Sequence, residues 1–497
     1  MDFHNLLENL NQQSFFSDLI IERGIEKESL RVTKDGHISK TGHPETLGSS
    51  YTNPSITTDF AESLIEVVTP TYTTVDELYE KLTTIHFFIN KNLKNGEMLW
   101  PLSMPPKIED ESDINIATYG KSNMAKLKHV YRKGLAIRYG KTMQCVSGIH
   151  YNFSVSDKTL KQLGYSSQNE KNKAYLNLIR NFKRLFWFVL IEFGNSPVVN
   201  KSFVAGRAND LDLLNETDLF KPYATSLRMS DIGYQSKAQK NLNFKYNDLD
   251  GFLSELRSAI MNPYPEFEDL GLKDINNEFQ QISSGILQIE NELYDCIRPK
   301  RAGKSGQRPY QLLKEQGIQY VEVRGIDLNP DEVVGISKEH IRILDLVLIY
   351  CLITPSRKMT DKEKIAIEQQ DINVIKSGRN PNLKVLFKNN ELSISAARKE
   401  LVKDLEQLAS RFNDQDFMDA VKNIGDFKKN KFNHQISFHD YGVEKAKKNS
   451  NIINSLTNID FESCEKEAND SLKEFDKINQ EQAISFNDFI EKYNSKI

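Results

Sequence analysis

Apolar residues recur at helical spacing in several parts of the chain. The segment over residues 71–95 opens on a Thr/Asp cluster and is followed by Gly96, and these are start and stop signals for a helix. The segment over residues 2–22 carries Phe3, Leu6 and Leu10 among polar neighbours and is typical of a surface helix. The periodicity therefore predicts helices over residues 2–22, 71–95, 170–193 and 338–353.

Other segments alternate apolar and polar residues with a period of two, which is typical of strands. Turn signals such as Lys34-Asp35-Gly36 separate these runs. The segments that predict strands are IERGIEKESLRV (21–32), SITTDFAESLIEVVTP (55–70), SGIHYNFSV (147–155) and QYVEVRGIDLNP (319–330).

The predicted strands place polar groups on one face. Glu26 and Glu28 are two residues apart, so a strand puts both carboxylates on one side, roughly 6–7 Å apart. By the same rule His150 shares a face with Asn152 and Ser154, and Glu322 shares a face with Arg324.

Residues 55–70 are harder to assign, because Asp59, Glu62 and Glu66 have spacings that also fit a helix. The β-branched end of the segment favours a strand, which would leave Glu62 and Glu66 on one face.

A polar strand face has an ordinary explanation, since antiparallel sheets commonly expose one face to solvent. Several segments, however, each set acids between long apolar neighbours, and carboxylates that converge need cations. Carboxylates with one imidazole and no thiolate suit magnesium, or alternatively manganese, rather than zinc or copper. The residues thus indicate a metal-dependent nucleotide enzyme without identifying its substrate.

A basic stretch, CIRPKRAGKSGQRP, has the composition of a Gly-containing loop that could close over phosphates. It fails the P-loop pattern, because Arg298 stands where the first glycine is required. The same composition also fits a solvated surface loop. The candidate phosphate-binding residues are Arg298, Lys300, Arg301 and Lys304.

Composition narrows the class of protein. The 497 residues carry 65 basic and 69 acidic side chains, and a net charge of −4 argues against a nucleic-acid binder. We find no apolar run of about 18 residues and no signal peptide, so we expect no membrane span. Four scattered cysteines favour a reduced, cytoplasmic protein.

From residue 356 onward charged helical sequence dominates, and we expect this region to be structural scaffold without catalytic residues.

The motifs together resemble proteobacterial-type glutamate–cysteine ligase, which makes gamma-glutamylcysteine in the first step of glutathione biosynthesis. The resemblance covers residues 18–355 in family order. The matching stretches are GIEKESLRV, TGHPETLGS, ITTDFAESLIEVVTP, YRKGLAIRYG, MQCVSGIHYNFS, YATSLRMSDIGY, LQIENELYDCIRPKR and YVEVRGIDLNP.

This resemblance implies an α+β fold like that of glutamine synthetase. Its curved, largely antiparallel sheet would have a concave active-site face and surrounding helices. It implies a catalytic domain over residues 1–355, with residues 356–497 as a charged, mostly helical region packed on it. ATP would phosphorylate the side-chain carboxyl of L-glutamate, and the amine of L-cysteine would displace the phosphate.

The resemblance also implies roles for single residues. Arg324 would steady the transferred phosphoryl group, with Glu322 beside it, and Arg228 would anchor a substrate carboxylate. The implied metal ligands are Glu26, Glu28, Asp59, Glu66, His150 and Glu322. The implied cysteine pocket comprises Phe60, Tyr131, Leu135, Gln144, Tyr234 and Tyr294, with Arg132 adjoining it.

Further expectations are a monomer, no nucleic-acid or membrane partner, and feedback inhibition by glutathione, which the family implies. Cys145, beside Gln144, is expected to be a buried small hydrophobe rather than a redox group. Two alternatives stay open: another carboxylate–amine ligase of the same fold, and a non-catalytic metal- or nucleotide-binding protein.

Overall fold

The structure is a computed structural model that describes residues 3–233, 236, 238–304, 306–425, 436–480 and 484–497. Its strands are β1 (Ile21–Val32), β2 (Ile56–Thr58), β3 (Leu64–Val68), β4 (Met98–Leu99), β5 (Ile149–Val155), β6 (Val198–Asn200), β7 (Asp212–Leu213), β8 (Asp218–Phe220), β9 (Ile297–Lys300), β10 (Tyr320–Ile326), β11 (Lys384–Phe387) and β12 (Asn390–Ser393).

Helices surround these strands and make up most of the chain after residue 330. They are α1 (Phe3–Gln12), α2 (Phe15–Asp18), α3 (Val75–Asn92), α4 (Asn123–Tyr139), α5 (Asp157–Gln162), α6 (Gln168–Phe193), α7 (Leu249–Met261), α8 (Pro265–Asp269), α9 (Pro309–Gln316), α10 (Lys338–Ile353), α11 (Asp361–Ser377), α12 (Ile394–Ala409), α13 (Gln415–Lys422), α14 (Phe438–Ser455), α15 (Glu462–Gln480) and α16 (Phe486–Asn494).

A seven-stranded sheet forms the centre of the fold, in the order β2-β3-β1-β5-β10-β9, with β4 paired to the end of β1. All of its pairs are antiparallel. Two small sheets, β6-β8-β7 and β11-β12, lie apart from it. The predicted α+β class with a largely antiparallel sheet is thereby confirmed.

The two faces of this sheet differ in chemistry. One face is apolar and lies against α3, α6 and α10, and its side chains belong to the largest buried cluster of the protein. Tyr151 and Phe153 of β5, and Val321 and Val323 of β10, are fully buried there. The alternate residues of the same strands are polar and line a cavity on the other face. The period-two pattern in the sequence therefore identified the two faces correctly.

Close packing of α6 on the sheet depends on Gly325 of β10. A side-chain carbon at this position would lie 2.3 Å from the Phe186 ring, which is far inside contact distance. The same part of β10 contains a bulge, because its register against β5 shifts between Val323 and Ile326. A bulge redirects the local side chain, and here that side chain is Arg324.

The predicted helix at residues 338–353 is confirmed as α10, and those at 71–95 and 170–193 are confirmed as α3 and α6 with shifted ends. The prediction of one surface helix over residues 2–22 is wrong. Ser14 adopts a left-handed conformation (φ 56°) that ends the first helix, and Ile21 already begins β1. Leu7 and Phe15 are fully buried, so the segment belongs to the core.

Helices after residue 355 pack on several earlier elements. α11 lies on α6, α12 and α13 lie on α10, α14 and α15 contact α3, and α16 contacts α4. A buried ion pair, Arg398 Nε to Glu192 Oε1 at 2.6 Å, ties α12 to α6. Charged composition therefore does not keep this region away from the core, which includes Leu401, Leu405 and Leu408.

None of the helices in the described ranges combines the length and apolar character needed to cross a membrane.

One buried ion pair joins the apolar face of the sheet to α10. The Nε of Arg23 donates to Asp345 Oδ2 at 3.0 Å, and the hydroxyl of Tyr151 donates to Asp345 Oδ1 at 2.6 Å. Burial, offset only in part by the charge of Arg23, raises the pKa of Asp345. Sequence alternation alone would have placed an apolar residue at position 23.

We expect Arg23→Met to lower the free energy of unfolding by roughly 3–5 kcal/mol, because it leaves a buried carboxylate without its cation. Urea unfolding measures the loss. The matched control is Lys473→Met, which removes an exposed cation 2.9 Å from Asp470 and should cost less than about 1 kcal/mol. Equal losses in the two variants would contradict this assignment.

Candidate active site

The polar face of the sheet forms the floor of a cavity of about 350 Å³. Strands β1, β3, β5, β9 and β10 supply most of its charged groups, and α4 and the segment before β9 supply its walls. Residues of the predicted site that line it are Glu26, Glu28, Asp59, Glu66, Tyr131, Arg132, Leu135, Gln144, His150, Arg228, Tyr294, Arg298, Lys300, Glu322 and Arg324.

Strand register brings the candidate metal ligands together. Glu26 lies directly opposite His150 in the β1/β5 pair, and Glu28 lies opposite Glu66 in the β1/β3 pair. The Nδ1 atom of His150 is 3.2 Å from Glu26 Oε2 and 3.6 Å from Glu322 Oε1. Ligand atoms of Glu26, His150 and Glu322 all lie within 4.8 Å of one another. Three strands thus converge on one small volume.

Glu322 is fully buried at the centre of a basic cluster. Its carboxylate accepts a hydrogen bond from Arg324 Nη1 at 2.7 Å and from Arg298 Nη2 at 3.0 Å, and Lys300 Nζ lies 3.1 Å away. Arg298 faces Glu322 because the two residues are partners in the β9/β10 register. Three cations therefore surround one carboxylate, which is more than its charge requires.

The surrounding groups lower the pKa of both acids at this end of the cavity, Glu322 and Glu26. Burial would raise the pKa of Glu322, but Arg298, Lys300 and Arg324 hold it well below its usual range. Burial would likewise raise the pKa of Glu26, but its hydrogen bond with His150 and the charge of Lys300 lower it. Both carboxylates are therefore charged at neutral pH.

At the neighbouring acids, nearby cations do not outweigh burial and repulsion: Arg228 and Arg324 act on Glu28, and Arg132 acts on Glu66. Burial and the charge of Asp59 raise the pKa of Glu28 to about 8, and the same two causes raise that of Glu66 well above its usual range. Burial and the charge of Arg324 lower the pKa of His150 to about 4, which leaves a neutral imidazole. Neutral imidazole is the form that binds metal.

This donor set fits a hard divalent cation. Carboxylate oxygens dominate it. Cys145, the cysteine nearest to His150 in sequence, is fully buried and does not line the cavity. Asn152 Nδ2 donates to Glu26 Oε1 at 3.0 Å, while the buried Asn152 Oδ1 has no hydrogen-bond partner among the described residues. An oxygen of this kind suits a cation or a water bound to one. The residues present thus fit magnesium or manganese.

One face of α4 forms the opposite wall of the cavity. Leu127, Lys128, Tyr131, Arg132 and Leu135 share this face because residues three and four apart are neighbours on a helix. Arg132 donates to the backbone oxygen of Asp59, and its guanidinium lies 4.7 Å from the centre of the Tyr119 ring. This contact fixes Arg132 at the border between the wall and the acidic floor.

Arg228 lies on a single 3-10 turn, Leu227–Met229, and is almost fully buried at the cavity floor. Its Nη2 donates to the Arg324 backbone oxygen at 3.0 Å, and its Nη1 lies 3.5 Å from Asp327 Oδ1. A side-chain carbon on Gly148 would lie 2.0 Å from this guanidinium, so only glycine leaves room for it. Arg228 is therefore held rigidly beside the strand that carries Arg324.

Several predicted site residues are not in the cavity. Phe60 is buried in the core cluster behind Leu135, where it supports the wall but does not line it. Tyr234 lies outside the described residues, so the structure does not test it. Glu62 is not on the face of Glu66, because it lies in the turn before β3 and accepts from His43 N and Thr118 N.

The prediction of a basic loop over residues 298–308 is wrong in its first part, because Arg298 and Lys300 belong to strand β9. Arg301 donates to the Gly317 backbone oxygen, and the exposed Lys304 does not line the cavity. Strand alternation explains the split, since Arg298 and Lys300 share one face and Arg301 follows where the strand ends.

The sequence patterns do not identify several other residues of the cavity. Lys128 is one turn before Arg132 on α4, and helical spacing could have found it. Burial and the charge of Arg132 lower its pKa to about 8. Asn291 and Tyr493 carry no comparable signal, because Asn291 lies in a 3-10 helix of only three residues and Tyr493 lies on α16, far away in sequence.

The chain is similar in sequence to known glutamate–cysteine ligases. The family model described as glutamate-cysteine ligase matches residues 5–374. A glutamate–cysteine ligase of Pseudomonas entomophila is 45% identical over 392 residues, which cover 78% of this chain and 74% of that protein. One from Hahella chejuensis is 45% identical over 72% of this chain and 69% of its own.

Solved structures show the same likeness. The glutamate–cysteine ligase of Francisella tularensis, solved in complex with AMP, superimposes with a TM-score of 0.91 at 32% identity. That match covers 96% of this chain and 98% of the other. This chain belongs to the glutamate–cysteine ligase family.

Proposed function

We propose that this protein joins the gamma-carboxyl of L-glutamate to the amine of L-cysteine at the expense of ATP. The products are gamma-glutamylcysteine, ADP and phosphate. Membership of the family supports the reaction, and the similar Francisella tularensis enzyme was solved with AMP, a nucleotide. One observation carries the proposal: the cluster of Glu26, His150 and Glu322 beside three cations.

The chemistry requires such a cluster. A carboxylate is a poor electrophile, so its oxygen first attacks the terminal phosphorus of ATP, and ADP leaves. The cysteine nitrogen then attacks the carbonyl carbon of gamma-glutamyl phosphate, loses a proton, and expels phosphate. Magnesium bound by Glu26, His150 and Glu322, with Glu28, Asp59 and Glu66 close by, would offset charge on the phosphates.

Basic residues of the cavity would act on the phosphates and on a substrate carboxylate. Arg324, which is held by Glu322 at 2.7 Å, would direct its positive charge at the transferred phosphoryl oxygens. Arg298 and Lys300 add positive charge at the same end. Arg228 would receive a substrate carboxylate, for which a guanidinium offers two parallel hydrogen bonds.

The wall of α4 suits the cysteine acceptor. Tyr131, Leu135 and Tyr294 offer a partly aromatic, apolar surface for a thiol-bearing side chain, with Gln144 and Arg132 at its border. Burial and the charge of Glu292 raise the pKa of Tyr131, so its phenol stays neutral. Glutathione contains both halves of the product and would fill both pockets, so we propose that it inhibits.

We further propose that the protein acts as a monomer in the cytoplasm, where ATP and reduced cysteine are present. All four of its cysteines are unpaired and buried, as a reducing compartment allows. Residues 1–355 would supply the catalytic groups named above, and residues 356–497 would pack on them.

The function is tested by ADP release with glutamate alone, and with glutamate plus each of several amino-acid amines. We expect cysteine to give the largest kcat/KM, because Tyr131, Leu135 and Tyr294 offer a small, partly aromatic apolar surface for its thiol-bearing side chain. Stimulation by another amine, with none by cysteine, would favour a different carboxylate–amine ligase.

We expect Glu26→Gln or Glu322→Gln to lower kcat by more than about a hundredfold, since loss of outer-shell support alone costs 10–100-fold. Circular dichroism checks that each variant is folded. Glu62→Gln is the matched control, because Glu62 belongs to the motif that carries Asp59 and Glu66 but lies outside the cavity. Near-normal turnover in a folded Glu26→Gln variant would refute the metal assignment.

Magnesium binding should release protons at neutral pH. Since the pKa of Glu28 is raised to about 8, its carboxyl is protonated below that pH and must ionise to meet a cation. We therefore expect magnesium affinity to rise between about pH 6 and pH 8 and then level off. Calorimetry in two buffers of different ionisation heat counts the protons, and Glu28→Gln should release fewer. A pH-independent affinity would contradict this.

A further inference from the structure

A second large cavity, of about 590 Å³, lies among helices rather than on the polar face of the sheet. Its walls come from α6, the C-terminal end of α10, α11 and the turn between β11 and β12. None of the described residues lines both this space and the active-site cavity. Since α6 and α10 pack on the apolar face of the sheet, this space lies behind the sheet. We call it the helical cavity.

The inner surface of the helical cavity is apolar. Leu185 of α6, Tyr350 of α10, Ile367 of α11 and Phe387 of β11 are buried and line it. Cavities of roughly 300–1,000 Å³ that combine mostly apolar walls with a few polar groups are typical of small-molecule sites. The size and lining of the helical cavity therefore suit an organic molecule with an apolar body.

The polar side chains at its rim use their acceptors and leave their donors over. Gln370 Oε1 accepts from a backbone N–H at 2.6 Å, and Asn389 Oδ1 accepts from Arg357 Nη2 at 3.2 Å. Ser356 Oγ accepts from Arg184 Nη1 at 3.0 Å. The two amide nitrogens and the Ser356 hydroxyl donate to no other described residue. A ligand at this rim therefore meets hydrogen-bond donors.

A buried hydroxyl at the end of α10 is also unsatisfied. Thr354 lines the helical cavity, and its Oγ1 has no hydrogen-bond partner in the described part of the chain. The backbone oxygen of Thr354, by contrast, accepts from Asn181 Nδ2 at 2.8 Å. Buried polar atoms without partners are rare in folded proteins, so each one requires an explanation. An acceptor atom on a ligand would supply the partner that this hydroxyl lacks.

Positive charge is concentrated at one side of the rim. Glu363 is held by Arg184 Nε at 2.8 Å and by Arg357 Nη2 at 3.0 Å, so two guanidiniums share one carboxylate. Arg357 is 55% exposed, and its Nε and Nη1 donate to no described residue. Lys388, at the β11–β12 turn, is instead held by two carboxylates of α12 at 3.0 and 2.8 Å. The unbalanced charge therefore lies at Arg357.

We propose that the helical cavity binds an organic anion with an apolar body, such as a medium-chain carboxylate. The apolar wall suits hydrocarbon, the donors at the rim suit acceptor oxygens, and Arg357 favours a negative charge. A groove that holds only water would leave donors and acceptors over alike, whereas here the acceptors are already used. The site goes beyond the proposed reaction, whose groups lie on the polar face of the sheet.

A ligand in the helical cavity would bind only the folded protein, because four separate segments form the cavity. Binding of this kind stabilises the folded state in proportion to the logarithm of ligand concentration over Kd. The helices that it would join, α6 and α10, are those that hold the sheet from behind.

The test measures the binding of three eight-carbon probes to the full-length protein by calorimetry: octanoate, octan-1-ol and octylamine. We expect the Kd of octanoate to be at least about tenfold below that of octan-1-ol, because only octanoate forms charge-assisted hydrogen bonds with Arg357. Octylamine is positively charged at neutral pH and should bind more weakly than either. Tighter binding of octylamine, or no saturable binding of octanoate, would overturn the proposal.

Two variants locate the site. Arg357→Gln should raise the Kd for octanoate about tenfold and leave that for octan-1-ol within about twofold of wild type. Ala366→Trp fills the cavity from an exposed position on α11, so it should weaken both probes more than about tenfold. Arg257→Gln is the matched control, because Arg257 is an exposed arginine of α7 outside the cavity lining. We expect it to leave both Kd values unchanged.

Octanoate bound at the cations of the active site would have the same Kd in Arg357→Gln and Ala366→Trp as in wild type, and that result would overturn the proposal. Equal weakening by Arg357→Gln and Arg257→Gln would show general attraction to surface charge and would also overturn it. Thermal unfolding without probe checks that each variant is folded. Octanoate should then raise the unfolding temperature of wild type but not that of Ala366→Trp. None of these measurements uses ATP, glutamate or cysteine, so a failure of the proposed function leaves them unaffected.

Discussion

Repulsion among buried carboxylates is the constraint on which the rest of this structure depends. Glu26, Glu28, Glu66 and Glu322 project from three strands into one cavity, where low polarity strengthens every charge interaction. They cannot all ionise without cations, and the chain supplies them unevenly. Glu322 has three, whereas Glu28 and Glu66 have pKa values raised by burial and by Asp59. A site built in this way favours a divalent cation and the phosphates that accompany it.

Such a floor must be rigid, and the apolar face of the sheet makes it so. Register fixes Glu26 opposite His150 and Glu322 opposite Arg298, while α3, α6 and α10 hold the strands from behind. The bulge in β10 directs Arg324 toward Glu322 and His150. Preorganised charges of this kind stabilise a transferred phosphoryl group without having to rearrange during the reaction.

Local sequence pattern predicted the centre of the site better than its border. Alternation in β1, β5 and β10 identified Glu26, His150 and Glu322, because strand geometry converts spacing directly into a shared face. It failed at Glu62, where a turn precedes β3. Composition likewise predicted the wrong secondary structure for the first part of residues 298–308, since a basic edge strand and a basic loop have the same residue content.

Other features depend on contacts between distant segments, which no local pattern records. Arg23 and Asp345 are 322 residues apart and pair in the core, and Arg308 meets Tyr493 across 185 residues. The expectation that residues 356–497 are scaffold followed from their charge, yet Tyr493 lines the cavity. Roles for single residues came from the family resemblance, and the structure adds the distances that make those roles physically reasonable.

The central claim is that the cavity transfers a phosphoryl group to a carboxylate oxygen. It is tested most directly with L-glutamate labelled with oxygen-18 in its gamma-carboxyl, in a complete reaction with ATP and cysteine. The account requires that one labelled oxygen per turnover appear in inorganic phosphate, because the bond from carbon to that oxygen breaks when the amine attacks. Unlabelled phosphate alongside formation of the dipeptide would contradict it.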